Sequence, residues 1–389
     1  MENLLLEKWN VQGTDIEGLK AALNDITNRT RIISVLSSEL SLVLPIGETD
    51  ADGKLPVIIH SPGLTSRATI KKEQFITAGL SEEEWKEAML RGFLIREAGG
   101  KRMIYPMFYS VVPDLAQNYN LQGTALVSEA ALKERNAYIM ALVEASPKIL
   151  SIVLRNGTGN VSKALSVRSK TYGYIPQTVI YDTIQAIGEE LGENKISSWS
   201  MNHILTEVNL DFPDISEDIN ETYGLEGYMA SIRIIDSDAA ESSFKVQGIL
   251  KKGCHELYTG GELSRKHSGE PDIDKLVKEV HKAIFDKFTV IPGYLCEMAS
   301  RDVEDPEVFL RDILKEAGKN IGIRLAAKIT ETLVSELPNS PMNELNIFEM
   351  LLGIPERVEA PESTKKAIRK WLAGLPKNIC ENESVTIGL

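Results

Sequence analysis

Residues 165–269 constrain the fold more than any other part of this chain, because strand-like and helical periods follow one another there with turn residues between them. Residues 201–210, 227–235 and 243–250 are β-branched or alternate apolar with polar side chains, as strands of one sheet do. Residues 178–191 read as a helix ending near Gly192, and residues 165–174 as a short exposed segment leading to Pro176.

The flanking regions add further elements. Leu19, Leu23, Ile26 and Ile33 recur at helical steps over residues 16–33. Residues 42–46 and 55–59 read as strands, and Pro45 and Pro56 place them at sheet edges. Ser81 with Glu84 resembles a capping box, which predicts a helix over residues 82–93 with Trp85, Met89 and Phe93 on its core side. Residues 103–112 read as a strand interrupted by Pro106, and residues 121–144 include a helix that breaks at Ser146-Pro147. Beyond Gly269 the pattern is helical over residues 272–288, then from a cap at Asp305-Pro306, then over 323–337, 346–352 and 363–372. The predicted class is α+β: a central, mainly antiparallel sheet with flanking helices and a helical C-terminal region. The expected regions are 1–147, 148–270 and 271–389.

Composition narrows the setting. A net charge of −13 opposes long-range attraction to a duplex, although a local basic groove remains compatible with it. No apolar run approaches the roughly 18 residues of a membrane span. The first residues, M-E-N-L-L-L-E-K-W, lack the basic head and long apolar run of a secretory signal. Cys254, Cys296 and Cys380 form no C-x-x-C pair, which fits a reducing cytoplasm.

Several constellations carry candidate chemistry. Lys245, Lys251, Lys252, His255, Tyr258, Arg265, Lys266 and His267 form a basic segment with aromatics, after a strongly acidic stretch at residues 207–241. Arg168, Lys170, Tyr172 and Tyr174 extend the set. Cations beside aromatic rings on a sheet suit single-stranded nucleic acid, through phosphate attraction and base stacking. The competing reading is a solvated sheet edge whose lysines prevent edge pairing. Asp236 and Asp238, two apart in extended chain, point the same way and with Glu241 suggest a hard cation such as Mg²⁺. A polar hairpin turn explains the same residues and is the stronger reading. Cys254, His255 and His267 fall short of a zinc ligand set, so Cys254 reads as a small core residue and His267 as a surface or turn residue. The run R-N-G-T-G-N at residues 155–160 lacks the P-loop lysine and reads as a tight turn. His60 reads as a turn residue, and Trp85 and Phe93 as core.

Residues 165–176, L-S-V-R-S-K-T-Y-G-Y-I-P, precede a helix and a strand pair, G-Y-M-A-S-I-R-I-I-D-S-D-A-A-E-S-S-F-K-V-Q-G. A cysteine-containing strand, I-L-K-K-G-C-H-E-L-Y, and the basic end R-K-H-S-G follow, with E-L-N-I-F-E-M-L-L-G and K-A-I-R-K-W-L-A-G further on. Over roughly residues 154–374 this order resembles the phage- and plasmid-borne proteins grouped as domain of unknown function 932. The resemblance implies a mobile-element protein working in the cytoplasm of a bacterial host, and brings no established reaction with it. The resulting expectation is a non-enzymatic protein that binds nucleic acid, single-stranded in preference, during replication or recombination. The alternatives are a metal-dependent enzyme acting on nucleic acid or nucleotide phosphates through Asp236 and Asp238, and a phage protein that binds a host or phage protein or has a structural role.

Overall fold

A computed structural model describes residues 4–121, 132–237, 239, 242–267, 275, 278–279, 282, 284 and 286–381. Strands β1 (Asn10–Gly13) and β2 (Thr30–Leu36) flank the helix Ile16–Arg29. Then come β3 (Leu40–Pro45), β4 (Lys54–Ser61), β5 (Leu64–Lys71), and the hairpin of β6 (Phe93–Ala98) with β7 (Lys101–Pro106). A second hairpin joins β8 (Ile149–Asn156) to β9 (Ser162–Ser169). The last long strands are β10 (Lys195–Asn202), β11 (Thr206–Phe212), β12 (Tyr228–Asp236), β13 (Phe244–Lys252) and β14 (His255–Arg265).

These strands form a five-stranded sheet, β5-β4-β3-β6-β7, a three-stranded sheet, β2-β8-β9, and a six-stranded sheet, β1-β10-β11-β12-β13-β14. All their pairings are antiparallel, so the chain is α+β. Strand pairing crosses the sequence boundary at 147, because β1 edges β10 and β2 pairs with β8.

The large sheet has one dry and one wet face. Along β12, Tyr228, Ala230, Ile232 and Ile234 are buried, while Met229 and Arg233 point the other way. The helices Ile16–Arg29, Thr178–Leu191, Pro213–Tyr223 and Asp286–Ala299 supply residues to the same apolar cluster as the dry face. The C-terminal helices join it through Leu310, Leu314, Leu333, Phe348, Leu351, Ile368 and Leu372. Each such side chain contributes about 1.5–3 kcal/mol by burial, against about 0–1 kcal/mol for an exposed ion pair such as Lys319–Glu316. Burial, not surface charge, holds the helical cap in place.

Several elements differ from the sequence expectation for local physical reasons. The first helix ends at Arg29, because Thr30 is extended and opens the β-branched strand β2 that holds Ile33. The helix Glu82–Arg91 stops before Phe93: Gly92 has φ 86°, and a Cβ there would stand 2.3 Å from the Val43 carbonyl oxygen. Phe93 therefore begins β6, yet still packs on Trp85 with ring centroids 5.7 Å apart. Pro45 and Pro56 lie on interior strands rather than edges. Pro45 is tolerated as the last residue of β3, and Pro56 faces Ile46, just past that end, where its carbonyl accepts the Ile46 N–H at 3.0 Å. The strand expected at 201–210 is two strands, because Asn202 Oδ1 takes the N–H groups of Ile204 and Leu205 and turns the chain. The strand expected at 103–112 ends at Pro106, and a helix starts at Val111. Leu165, Ser166 and Val167 are buried in β9 rather than exposed. His60 is a buried strand residue, its Nδ1 3.2 Å from the Thr65 hydroxyl, rather than a turn residue. Residues 122–131 of one expected helix and most of residues 272–285 of another lie outside the described residues.

The run at 155–160 does form a tight turn, and both of its glycines are needed for close approach. A Cβ on Gly157 would stand 2.9 Å from Leu5 Cδ1, and one on Gly159 would stand 2.1 Å from the Ala78 carbonyl oxygen. Among the described residues, no helix is long and apolar enough to cross a membrane.

Candidate nucleic-acid interface

The register of β13 and β14 divides the basic segment into two groups. Lys252 pairs with His255 at one end of the hairpin, and Phe244 with Arg265 at the other. At roughly 3.3 Å per residue those ends are about 26 Å apart. Lys251 and Lys252 therefore lie far from Arg265, Lys266 and His267, with Tyr258 between the groups.

At the Arg265 end, two segments distant in sequence meet. The Gly173 N–H donates to the His267 carbonyl (2.8 Å), and the Tyr172 ring stacks on the His267 ring at 5.5 Å with 23° between planes. Arg168 is committed to the fold: it pairs with Asp114 at 3.1 Å and donates to the Ala239 carbonyl at 3.0 Å. Arg265 pairs with Glu279. Lys170 and Lys266, two residues before Tyr172 and one before His267, are exposed, and neither has an ion-pair partner among the described residues.

Beneath this surface lies a polar cluster that sequence reasoning missed. Asp236, fully buried, accepts from Gln177 Nε2 (2.5 Å), and Gln177 Oε1 accepts from the Thr206 hydroxyl (2.6 Å). His267 Nε2 stands 3.2 Å from Asp236 Oδ1 and 3.1 Å from the Ser242 carbonyl oxygen. Its side chain is only 5% exposed, so His267 is an inward latch rather than a surface or turn residue. Asp236 is likewise the buried last residue of β12, not part of a solvated hairpin turn; Gln177 donates to its Oδ2, and His267 stands against its Oδ1. Asp238 and Glu241 lie outside the described residues. Among the described residues, no three His, Cys, Asp or Glu side chains converge as metal ligands.

At the opposite end and on the wet face, cations are matched by acids. Lys251 pairs with Asp211 at 2.6 Å, and Lys245 with Glu262 at 3.5 Å. Lys252 donates to the Glu226 carbonyl, stands 3.6 Å from Glu349 and covers the Tyr228 ring at 4.7 Å. Arg233 bonds Asn209 (2.8 Å), pairs with Glu207 (3.2 Å) and Glu256, and reaches the Tyr258 hydroxyl at 3.4 Å. Burial, as the largest cause, raises the Tyr258 phenol pKa. A phosphate approaching Lys251 has to displace Asp211. Cys254 is exposed rather than in the core, because Gly253-Cys254 is the two-residue turn between β13 and β14, with Gly253 at φ 60°. Its sulfur lies 3.8 Å from the His255 ring nitrogens, and His255 faces Glu356 at 3.9 Å.

No family model, no curated protein and no solved structure matches this chain.

Proposed function

We propose that this protein binds single-stranded nucleic acid at the end of the large sheet where residues 168–173 meet residues 265–267. In this reading Lys170 and Lys266 neutralise phosphates, the half-buried Tyr172 ring offers the stacking face with the inward His267 ring packed against it, and Arg168 and Arg265 brace the surface through their own acids. The supporting observation is the Gly173-to-His267 hydrogen bond, which joins two basic-aromatic segments with both lysines exposed. The resemblance set out above implies a mobile-element protein, and the proposed binding would serve replication or recombination of that element, with no reaction assigned. Lys251, Lys252 and Tyr258 are not part of this surface, because the first two are occupied by Asp211, Glu226 and Glu349 at the other end.

The test is fluorescence anisotropy with single- and double-stranded oligonucleotides across a salt series, with and without Mg²⁺. Single strands bind at low salt, duplexes bind less, and Lys170→Glu with Lys266→Glu removes the binding. No affinity for single strands at low salt overturns the reading.

A further inference from the structure

Residues 4–9 belong to no strand or helix, yet Leu4, Leu5, Leu6 and Trp9 are at most 7% exposed. Buried backbone outside secondary structure needs hydrogen-bond partners from elsewhere. Here side chains of distant elements provide most of them, beside the Trp9 N–H to Leu6 carbonyl bond within the segment. The Leu5 N–H donates to Glu84 at 3.0 Å and the Glu7 N–H to Glu87 at 2.9 Å, both on the helix Glu82–Arg91. The Leu5 carbonyl accepts from Lys163 of β9 at 2.8 Å, and the Leu6 carbonyl lies 3.0 Å from His203 Nε2 in the turn between β10 and β11. The Glu7 carboxylate receives Arg91 at 2.8 Å and the Tyr109 N–H at 3.1 Å.

The side chains are seated as specifically as the backbone. Leu4 and Trp9 enter the core beneath the large sheet, whereas Leu5 enters the separate core of the β3–β7 sheet. Trp9 also packs on His203, with ring centroids 5.2 Å apart. Gly157 makes room for Leu5: a Cβ there would stand 2.9 Å from Leu5 Cδ1. A cavity of about 200 Å³ adjoins Leu4 and Leu5 between Glu84 and Gly157. The receptor side does not depend on the segment alone for its internal bonds: Lys163 also pairs with Glu87 at 2.5 Å, and Glu84 caps its own helix through Ser81. Irregular backbone read by polar side chains, with apolar side chains in pockets, is how a protein holds a peptide ligand; here the segment turns back on itself, the Trp9 N–H donating to the Leu6 carbonyl at 3.0 Å.

We propose that the groove between the helix Glu82–Arg91, β9 and the β10–β11 turn is a peptide-binding site, occupied in cis by residues 4–7. Its ligand class is a short, turn-forming peptide in which consecutive leucines precede a glutamate. The two leucine pockets select the apolar pair, and Arg91 with the Tyr109 N–H selects the acid. The site is independent of the nucleic-acid surface, which lies with His267 and Tyr172 and shares none of these residues.

Two measurements on the full chain test this. In the first, Leu4→Asp with Leu5→Asp weakens the resident segment, and a fluorescent peptide of residues 2–10 is titrated in. The peptide binds this variant at least tenfold more tightly than the unmodified chain, and a peptide carrying the same two aspartates does not bind. A folded variant with no affinity for the peptide overturns the proposal. In the second, native-state hydrogen exchange of the unmodified chain follows the Leu5 and Glu7 amides, which decides the matter if the variant fails to fold. A separable ligand exchanges these amides through an opening that leaves β11 and β12 protected. Exchange only on global unfolding makes the segment an integral part of the core and overturns the proposal.

Discussion

His267 Nε2 lies 3.2 Å from Asp236 Oδ1, and this contact ties the end of β14 to the end of β12 across the strand between them. Gln177 closes the other side of the same carboxylate, and Thr206 fixes Gln177. A buried carboxylate is costly unless its oxygens are engaged; Gln177 hydrogen-bonds Oδ2, and His267 is the cation-capable group set against Oδ1. His267→Ala removes one partner and leaves Asp236 in the core. The expected cost is about 1–3 kcal/mol, read as a lower urea midpoint with an unchanged m-value. A loss well under that range would mean that water or another donor takes over the Asp236 oxygen.

The end of the helix Glu82–Arg91 supplies a second prediction. Gly92 combines φ 86° with contact to the Val43 carbonyl, so an alanine there meets both backbone strain and a clash with β3. Gly92→Ala destabilises the fold by at least about 1–3 kcal/mol, measured by thermal or urea unfolding. Gly53→Ala is the control: φ is 73° there too, but a Cβ meets nothing within 4 Å, so only the strain remains and the loss is smaller. Equal losses at the two sites would show that the contact with Val43 adds nothing.

What the sequence makes legible here is local. The helix Thr178–Leu191 carries its apolar face and its Gly192 stop, and the helix Pro306–Ile321 carries its Asp305 cap and Pro306 start, within a few residues, and both form as expected. The α+β class follows from the same periodicities. The site is less legible because its contacts are not local. Nothing near Lys251 in sequence reveals that Asp211 neutralises it, and nothing near His267 points to Asp236, Gln177 or Tyr172. Cys254 shows the same limit at short range: an apolar residue type in a strand-like run becomes exposed once the register makes Gly253-Cys254 a turn. The Ser81–Glu84 capping box forms as its spacing predicts, but nothing in that spacing points to the second role of Glu84, which accepts the Leu5 N–H.

The split of the basic residues predicts how salt acts on binding. If the proposed surface binds through two phosphate contacts, from Lys170 and Lys266, few counterions are released and log K against log salt for single strands has a slope of about −1.4. Lys266→Gln alone brings the slope to about −0.7, whereas Lys251→Gln leaves it unchanged because that lysine serves Asp211. A slope that falls with Lys251→Gln and not with Lys266→Gln would move the interface to the other end of the sheet.

His203 gives a pH dependence whose sign can be worked out. The ring is fully buried between Trp9 and Phe108, with centroids 5.2 and 5.5 Å away. Burial holds its pKa well below 6.5, Arg155 and Lys163 push in the same direction, and the Leu6 carbonyl opposes them. His60 is lowered too, first by burial and then by Lys133, with Glu134 opposing. In the unfolded chain both imidazoles titrate near 6.5. Above that pH both states are neutral and neither ring affects stability. As the pH falls below about 6.5, the unfolded chain takes up protons that the folded chain does not, so stability declines. For His203 the slope reaches about 1.4 kcal/mol per pH unit until the folded ring itself protonates. Urea unfolding at about pH 7.5, 6.5 and 5.5 measures this, with His203→Gln as the comparison. The variant loses less stability between the two lower pH values than the unmodified chain; parallel profiles would show that His203 takes up its proton equally in both states.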